Sequence, residues 1–225
     1  MGWLPVMLRL DGALCVVIGG GAVAERKVLG LLEADAFVTL ISPTVTGKLE
    51  ELAEQGVIHW VTRDYAEGDL SGATLAFAAT NDGGVNGQVA AEAQSRGVLV
   101  NVADDADAGT LMLTSVLRRG KLMLSVSTMG ASPSTARRVR RELEEAYGDE
   151  YEVWLDWLAE VRLMLRQRVE GTELRQLLHR LLDEMNGPEL LRTGRLPASG
   201  WQEAWLEALR REPVPDTVWR LASQV

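Results

Sequence analysis

The residues best suited to chemistry begin with three consecutive glycines, Gly19 to Gly21, in the stretch VIGGGAVAERK. Gly19, Gly21 and Ala24 match the pattern G-x-G-x-x-A, between a run typical of a strand and a run typical of a helix. The first glycine of this pattern makes the turn, the second lets a pyrophosphate approach the backbone, and the third small residue permits close helix packing. The motif therefore predicts a dinucleotide site that also includes Gly20, and a tight turn without a ligand is the alternative.

The second strand does not end in the acidic residue that usually binds the adenosine ribose of a dinucleotide. Ser42 stands at that position, followed by Pro43 and Thr44, and no arginine is there to bind a 2′-phosphate. Hydroxyl and backbone groups could bind the ribose instead. We expect the cofactor to be NAD rather than NADP.

Polar side chains follow two later strands, where a doubly wound sheet collects its ligands. Thr80, Asn81 and Asp82 follow the fourth strand. The polar residues at the end of the fifth are Asn101, Asp104, Asp105 and Asp107. A carboxylate at this edge could accept a proton while a nicotinamide accepts a hydride. The alternative is that these side chains only cap turns and helices.

A predicted helix further on carries arginines in its first half and glutamates behind them, which opposes the helix dipole. Pairs such as Arg138 with Glu142 and Arg141 with Glu145 recover only about a few tenths of a kcal/mol each. Stability alone therefore does not explain these bases. They could bind an anionic ligand on an otherwise acidic protein, or they could form a solvated helix face. The bases concerned are Arg118, Arg119, Lys121, Arg137, Arg138, Arg140 and Arg141.

The elements that must position these residues alternate between strand and helix over the first hundred positions. This alternation predicts an α/β fold, with a Rossmann-like, doubly wound parallel sheet. The predicted strands are 13–18, 37–41, 57–61, 74–79 and 98–102. One helix is predicted directly after the glycines, and two further helices are predicted at 45–55 and 85–96.

The pattern changes after residue 110. Strands at 111–117 and 122–127 flank a short basic segment, which predicts a hairpin or a tight link between the two strands. A helix follows at 133–147. Beyond Gly148 only helical patterns remain, with five of the seven tryptophans, which we interpret as helix packing rather than as a partner surface. Ser199 and Gln202 suggest a capping box for a last helix that carries Trp201, Trp205 and Leu209.

Composition limits the possible functions. The 225 residues carry a net charge of −9, which argues against a general nucleic-acid binder. The single cysteine, Cys15, excludes an internal disulfide, and His59 and His179 do not have the spacing of a metal cluster. No apolar run approaches the roughly 20 residues that cross a bilayer, and the N-terminus lacks a leader pattern. We expect a soluble, cytoplasmic protein without a resident metal.

Four linked motifs resemble, in order and spacing, the precorrin-2 dehydrogenase / sirohydrochlorin ferrochelatase family of siroheme biosynthesis. They are VVIGGGAVAERKVLGLLEADAFVTLISP, LAFAATNDGGVN, GVLVNVADDADA and LRRGKLMLSVSTMGASPSTARRVRRELE, and the likeness covers about residues 3 to 145. The family often has Phe-Ile-Phe-Pro before the basic turn, where this chain has LMLTS. We therefore expect the lining of the substrate pocket to differ from that of the relatives.

The resemblance implies NAD-dependent oxidation of the tetrapyrrole precorrin-2 to sirohydrochlorin in a homodimer. It assigns the central catalytic role to Asp104 and contacts with NAD to Ala22, Val23, Pro43 and Thr44. Thr128 stands where related proteins have a serine, and we place it with Ser132, Asn101 and the bases at the substrate. The implied parts are an NAD-binding domain at 1–110, a dimerisation and substrate segment at 111–148, and a helical domain at 149–225.

Some family members also insert ferrous iron, whereas others would need a separate chelatase partner. We favour the dehydrogenase alone, because no histidine or cysteine near the proposed site indicates a metal site. Two non-enzymatic alternatives remain, a dinucleotide-sensing module and an interaction protein that uses the tryptophan-rich helices. Turnover distinguishes both from an enzyme.

Overall fold

A computed structural model describes residues 2–103, 105–197 and 199–223 of the chain. The fold consists of two compact units, Met1–Leu113 and Thr114–Val225. The predicted division into three parts stays a prediction. No helix within the described ranges is long and apolar enough to cross a membrane.

The first unit is built on a five-stranded parallel sheet in the order β3-β2-β1-β4-β5. Its strands are β1 (Leu14–Ile18), β2 (Phe37–Ile41), β3 (His59–Val61), β4 (Leu75–Ala78) and β5 (Leu99–Val102). The central strand β1 pairs with β2 and β4 on either side, so that Val16 is opposite both Thr39 and Ala76. The predicted Rossmann-like sheet is confirmed.

Helices cover both faces of this sheet. They are α1 (Ala22–Leu32), α2 (Gly47–Glu54) and α3 (Gly83–Arg96). Cys15 and Val17 of β1 pack into one apolar cluster with residues of α1 and α2, while Val16 and Ile18 pack into another with residues of α3. Both faces of β1 are therefore buried, which explains why its sequence is an unbroken apolar run.

Several boundaries in this unit differ from the prediction by one or two residues, and two of them have a clear local reason. The helix predicted from Val85 begins at Gly83, because Asp82 caps it by accepting hydrogen bonds from the amides of Gly84 and Val85. The strand predicted at 57–61 begins only at His59. The amides of residues 57 and 58 instead donate to the carbonyl of Leu52 and close the end of α2.

The second unit begins with an antiparallel hairpin of β6 (Ser115–Arg119) and β7 (Leu122–Val126), joined by Gly120 and Lys121. The predicted hairpin is confirmed, but its first strand starts at Ser115 rather than at residue 111. The amides of Thr110 and Leu111 both donate to the carbonyl of Val100, so this stretch belongs with β5. Helix α4 (Pro133–Ala146) follows the hairpin.

Five helices complete the second unit: α5 (Glu150–Arg168), α6 (Thr172–Glu184), α7 (Gly187–Arg192), α8 (Gln202–Arg211) and α9 (Pro215–Ala222). Trp154, Trp157, Trp201 and Trp205 form one buried cluster, with ring centroids 5.0 to 5.7 Å apart. A Cβ on Gly187 would lie 2.1 Å from the ring of Trp154, so helix α7 approaches this cluster closely. The interpretation as helix packing is confirmed for these four tryptophans, whereas the fifth, Trp219 of α9, is 58% exposed.

The predicted capping box at Ser199 is wrong. The N-cap of α8 is Trp201, which makes no side-chain cap, and the side-chain oxygen of Gln202 accepts from the amide of Gly200. Gly200 has a φ of 94°, a turn conformation that starts the helix two residues later than predicted. Helix α8 is also followed by α9, which begins at Pro215, so it is not the last helix.

A buried carboxylate ties the loop after β3 to helix α3. Glu92 accepts hydrogen bonds from the hydroxyl of Tyr65 (2.5 Å) and from the amides of Gly68 (3.0 Å) and Leu70 (3.3 Å). Arg96 Nε lies 2.7 Å from the same carboxylate. Burial acts to raise the pKa of Glu92, but these hydrogen bonds outweigh it and hold the pKa below its ordinary value of 4.5.

Glu92→Gln should lower the free energy of unfolding by about 1 to 3 kcal/mol at neutral pH, since the donors around the carboxylate lose its negative charge and one of its two acceptor oxygens. The stabilisation is complete above the ordinary pKa of 4.5 and disappears as the pH falls through the lower folded-state pKa. The difference between parent and variant should therefore shrink in acid. Urea unfolding over a pH series measures it.

Glu54→Gln is the matched control, because Glu54 is an exposed glutamate of α2 without an ion pair in the described part of the chain. An equal loss in both variants, or a difference that does not change with pH, would contradict the role given to Glu92.

Candidate functional site

A cleft of about 890 Å³ opens at the carboxyl edge of the parallel sheet. Its apolar floor includes Ile18, Ile41 and Ala79. All of the residues predicted to contact the dinucleotide line this cleft: Gly19, Gly20, Gly21, Ala22, Val23, Ser42, Pro43, Thr44, Thr80 and Asn81. The structure therefore brings the two strand-end groups and the glycine turn together, as the fold predicts.

The glycine turn lies against the backbone of its neighbours. A Cβ on Gly19, whose φ is 115°, would lie 2.4 Å from the carbonyl oxygen of Ala79. A Cβ on Gly20 would lie 2.0 Å from the carbonyl oxygen of Thr44. Gly21 differs, because nothing lies within 4 Å of its Cβ position. The first two glycines are required by packing, and the third leaves open space at the cleft.

Helix α1 begins directly after this turn, with its first internal hydrogen bond from the amide of Glu25 to the carbonyl of Gly21. The preceding first-turn amides have no partner within the helix, so they are available to an anion in the cleft. Thr46 holds the opposite wall: its amide donates to the carbonyl of Gly20 (3.0 Å), and its hydroxyl donates to the carboxylate of Glu25 (2.6 Å). These contacts fix the spacing of the two loops.

Ser42 occupies the position where a ribose-binding acid is expected, and it is buried. Its hydroxyl donates to the carbonyl of Thr44 (2.7 Å), and its own carbonyl accepts from the indole N–H of Trp60 (2.9 Å). The hydroxyl proton of Ser42 is thus used inside the protein. Ser42 shapes the loop that carries Pro43 and Thr44.

Thr80 is held by the buried side chain of Asn86 in α3. The hydroxyl of Thr80 lies 2.7 Å from Oδ1 of Asn86, and Nδ2 of Asn86 donates to the carbonyl of Thr80 (3.1 Å). Asp82 caps α3, so its alternative interpretation as a capping residue is correct. Asn81 remains exposed at the cleft.

Asp64 and Tyr65 are among the lining residues of the cleft that the sequence did not indicate. Both lie in the loop after β3, which is the neighbour of β2 in the sheet. The carboxylate of Asp64 is the acidic group on this wall, whereas the hydroxyl of Tyr65 is bound to Glu92. The order of the strands could have indicated these two residues, because the loops that follow neighbouring parallel strands lie at the same edge of the sheet.

The residues at the end of the fifth strand are not placed as predicted. Asn101 is not among the described lining residues of the cleft, and its Nδ2 donates to the carbonyl of Leu111 (2.9 Å). Asp105 caps a turn by accepting from the amides of Asp107 and Ala108, both at 3.1 Å. Asp104, the predicted catalytic residue, lies outside the described residues.

The predicted substrate-binding bases lie in the second unit, and several of them have acidic partners. Lys121 pairs with Asp156, and Nε of Arg119 lies 3.2 Å from Asp149. Arg138 is 3.6 Å from Glu142, as predicted, and Arg140 pairs with Glu144. Arg118, Arg137 and Arg141 have no ion pair within the ranges that the structure describes, so the predicted pair of Arg141 with Glu145 is wrong.

Thr128 and Ser132 form one hydrogen-bonded turn before α4. The hydroxyl of Thr128 donates to the carbonyl of Ser132 (3.0 Å) and accepts from its amide (3.1 Å). Ser132 is the N-cap of α4 and accepts from the amide of Thr135 (3.2 Å). The hydroxyl on residue 128 therefore fixes the start of the basic helix.

The remaining reactive groups give no sign of a second chemistry. Burial raises the pKa of the Cys15 thiol to about 11, so this cysteine is protonated at neutral pH. Among the residues that the structure describes, no three histidine, cysteine, aspartate or glutamate side chains are grouped as metal ligands would be.

Residues 6–115 match a family model described as putative NAD(P)-binding. The siroheme synthase of Chromobacterium violaceum is 41% identical over 144 residues, which are 64% of this chain and 31% of that protein. The siroheme synthase of Nitrosomonas europaea is 35% identical over 212 residues, which are 93% of this chain and 44% of that protein. The chain thus spans less than half of the length of these curated relatives.

A solved structure described as SirC, precorrin-2 dehydrogenase, matches with a TM-score of 0.72 and 27% sequence identity. The match covers 91% of this chain and 99% of that one. The match therefore extends over both units. The chain belongs to the precorrin-2 dehydrogenase / siroheme synthase family.

Proposed function

We propose that this chain is an NAD-dependent dehydrogenase that oxidises precorrin-2 to sirohydrochlorin in siroheme biosynthesis. The observation that carries the proposal is the match to a precorrin-2 dehydrogenase over nearly the whole length of both chains. A module that only bound a dinucleotide would need the first unit alone. We further propose that the protein acts as a homodimer, as the family resemblance implies.

The cleft of the first unit fits a dinucleotide. Gly21 leaves the space that a pyrophosphate needs, and the first-turn amides of α1 supply donors for its oxygens. Pro43 and Thr44 would contact the adenosine half from the opposite wall. When bound, the nicotinamide supplies a hydride acceptor, and the protein's part is to orient it and to exclude water.

Charge at the cleft favours NAD over NADP. Asp64 lines the same cleft as Pro43 and Thr44, and no lysine or arginine is among the described residues that line it. The neighbouring Arg63 is bound in a bidentate pair to Asp69, with N–O distances of 2.7 and 2.6 Å. A 2′-phosphate would meet the negative charge of Asp64 without a cation to offset it. We infer that Asp64 takes the place of the missing acid at the end of β2.

Precorrin-2 carries many carboxylates, so unpaired arginines on an acidic protein suit its recognition. Arg118, Arg137 and Arg141 have no ion pair in the described ranges, and we propose Arg118 and Arg137 as direct ligands. Arg119, Lys121 and Arg138 have acidic partners and would have to exchange them for substrate. Thr128 and Ser132 would act by holding the start of α4.

Oxidation of precorrin-2 removes a hydride and a proton from the macrocycle. We propose that Asp104 accepts this proton or orients the substrate for its loss. Iron insertion is a separate step, and no observation in the described part of the chain favours it. A separate chelatase would then complete the pathway.

The full-length protein should convert anaerobically generated precorrin-2 into sirohydrochlorin when NAD is present, followed by absorbance. Asp104→Asn should slow this by about 10²- to 10⁴-fold, as expected for the loss of a general base. Asp107→Asn is the matched control, because Asp107 is an exposed aspartate of the same loop. A second trace after the addition of ferrous ion tests chelation.

A parent protein that binds NAD but does not oxidise precorrin-2 would exclude the dehydrogenase and favour a sensing or interaction module. If a folded Asp104→Asn protein were as active as the parent, the catalytic role of Asp104 would be excluded, whereas the dehydrogenase proposal would stand.

Gly21→Ala should weaken NAD binding by roughly tenfold or more, because the new methyl group fills the space where the pyrophosphate must approach. The fold should tolerate the change, since nothing lies within 4 Å of the Cβ position. Gly30→Ala is the control: Gly30 also has open space around it but lies within α1, away from the cleft. Isothermal titration of both variants measures the effect, and equal affinities would place the dinucleotide elsewhere.

Asp64→Asn should reduce the preference for NAD over NADP by roughly tenfold, because the charge that repels the 2′-phosphate is removed while the shape is kept. Glu67→Gln is the matched control, since Glu67 is an exposed acid of the same loop and is not among the described lining residues. Binding constants for both cofactors give the ratio. An unchanged ratio in the Asp64 variant would show that this carboxylate does not select the cofactor.

A further inference from the structure

A second cavity, of about 220 Å³, lies between helices α5 and α6 of the second unit. Arg162 and Arg166 line it from α5, and Thr172, Arg175, Gln176 and His179 line it from α6. Neither the proposed dinucleotide cleft nor the basic segment around α4 includes any of these residues. The cavity is therefore a separate feature, whose chemistry the proposed function does not use.

The lining of this cavity concentrates positive charge on a protein of net charge −9. Three arginines line it, and no carboxylate is among the described lining residues. Arg162 and Arg166 stand one helical turn apart, where like charges are destabilising by a few tenths of a kcal/mol. Neither has an ion pair or a side-chain hydrogen bond within the described ranges.

Other arginines of the same unit are placed differently. Arg192 pairs with Glu189, and Arg210 lies 2.8 Å from Glu207. Arg118, Arg137 and Arg141 also lack an ion pair in the described ranges, but Arg162 and Arg166 differ from them in lining a cavity together with a third arginine. Such an arrangement lacks an internal partner and is suited to an anion supplied from outside.

The third arginine is held in a fixed orientation. Nη1 of Arg175 donates to the carbonyl of Val169 (2.9 Å), and Nη2 donates to the hydroxyl of Thr172 (3.3 Å). The remaining N–H groups of a guanidinium anchored in this way can still bind an oxyanion, at a reduced entropic cost. Burial lowers the pKa of the neighbouring His179, the positive charge of Arg162 lowers it further, and Asp183 opposes both effects. The neutral imidazole can donate one further hydrogen bond.

We propose that the α5–α6 cavity binds a small oxyanion, a phosphate or carboxylate group, through Arg162, Arg166 and Arg175. Its volume is below the roughly 300 to 1,000 Å³ of sites that enclose whole drug-sized ligands. The cavity therefore suits an inorganic ion or one charged group of a larger molecule. Arginine is the side chain best matched to either group, because its planar fork binds two oxygens at once.

The two histidines of the chain allow a direct test. In full-length protein with ¹³C-labelled histidine, added inorganic phosphate at constant ionic strength should shift the imidazole signal of His179 in a saturable way. The signal of His59, an exposed residue of β3, should not move and serves as the internal reference. A parallel titration with citrate distinguishes carboxylate groups from phosphate, and saturation by either anion supports the proposal.

The double variant Arg162→Gln/Arg166→Gln should weaken this binding by roughly tenfold or more, since the charge-assisted hydrogen bonds are lost. Arg168→Gln is the control, because Arg168 is an exposed arginine of α5 that is not among the described lining residues. Circular dichroism verifies that each variant is folded. The proposal is overturned if neither anion shifts His179 saturably, or if the double variant binds as tightly as the parent.

Discussion

The contact between the glycine turn and two backbone carbonyl groups determines how the first unit is arranged. Gly19 and Gly20 bring α1 so close to the carbonyls of Ala79 and Thr44 that even one methyl group could not be accommodated without a shift. This contact joins the ends of β1, β2 and β4 into one edge, and the cleft lies along it. Gly21, one residue later, faces free space. The same short stretch thus combines a packing requirement with a binding surface.

Local patterns were sufficient to predict the sheet and the glycine site. The strand β1 is recognisable because both of its faces are buried, and the turn is recognisable because three side chains are missing where helix and strand meet. Asp64 could not be predicted in this way. Its place at the cleft depends on β3 lying beside β2, which is a property of strand order and not of the residues around position 64.

Ion pairs between segments that are distant in the sequence were also not predictable from it. Helical spacing pairs arginines of α4 with glutamates of the same helix, whereas Arg119 and Lys121 of the hairpin pair with Asp149 and Asp156, at and beyond the start of α5. Ser42 is a similar case: a serine at this position suggests ligand binding, but its hydroxyl donates to the carbonyl of Thr44. The type of a side chain indicates what it is able to bind. Tertiary contacts decide whether its hydrogen-bonding or charged groups are free to bind a ligand.

The distribution of the tryptophans has a consequence for optical experiments on this protein. Four indole rings in the second unit lie with centroids 5.0 to 5.7 Å apart, close enough for their electronic transitions to couple and for excitation energy to pass among them. The indole of Trp60, by contrast, is bound to the carbonyl of Ser42 in the wall of the cleft. Near-ultraviolet circular dichroism therefore reports mainly on the helical unit. Replacing those four rings, together with Trp3 and Trp219, would leave Trp60 as the single tryptophan, beside the cleft.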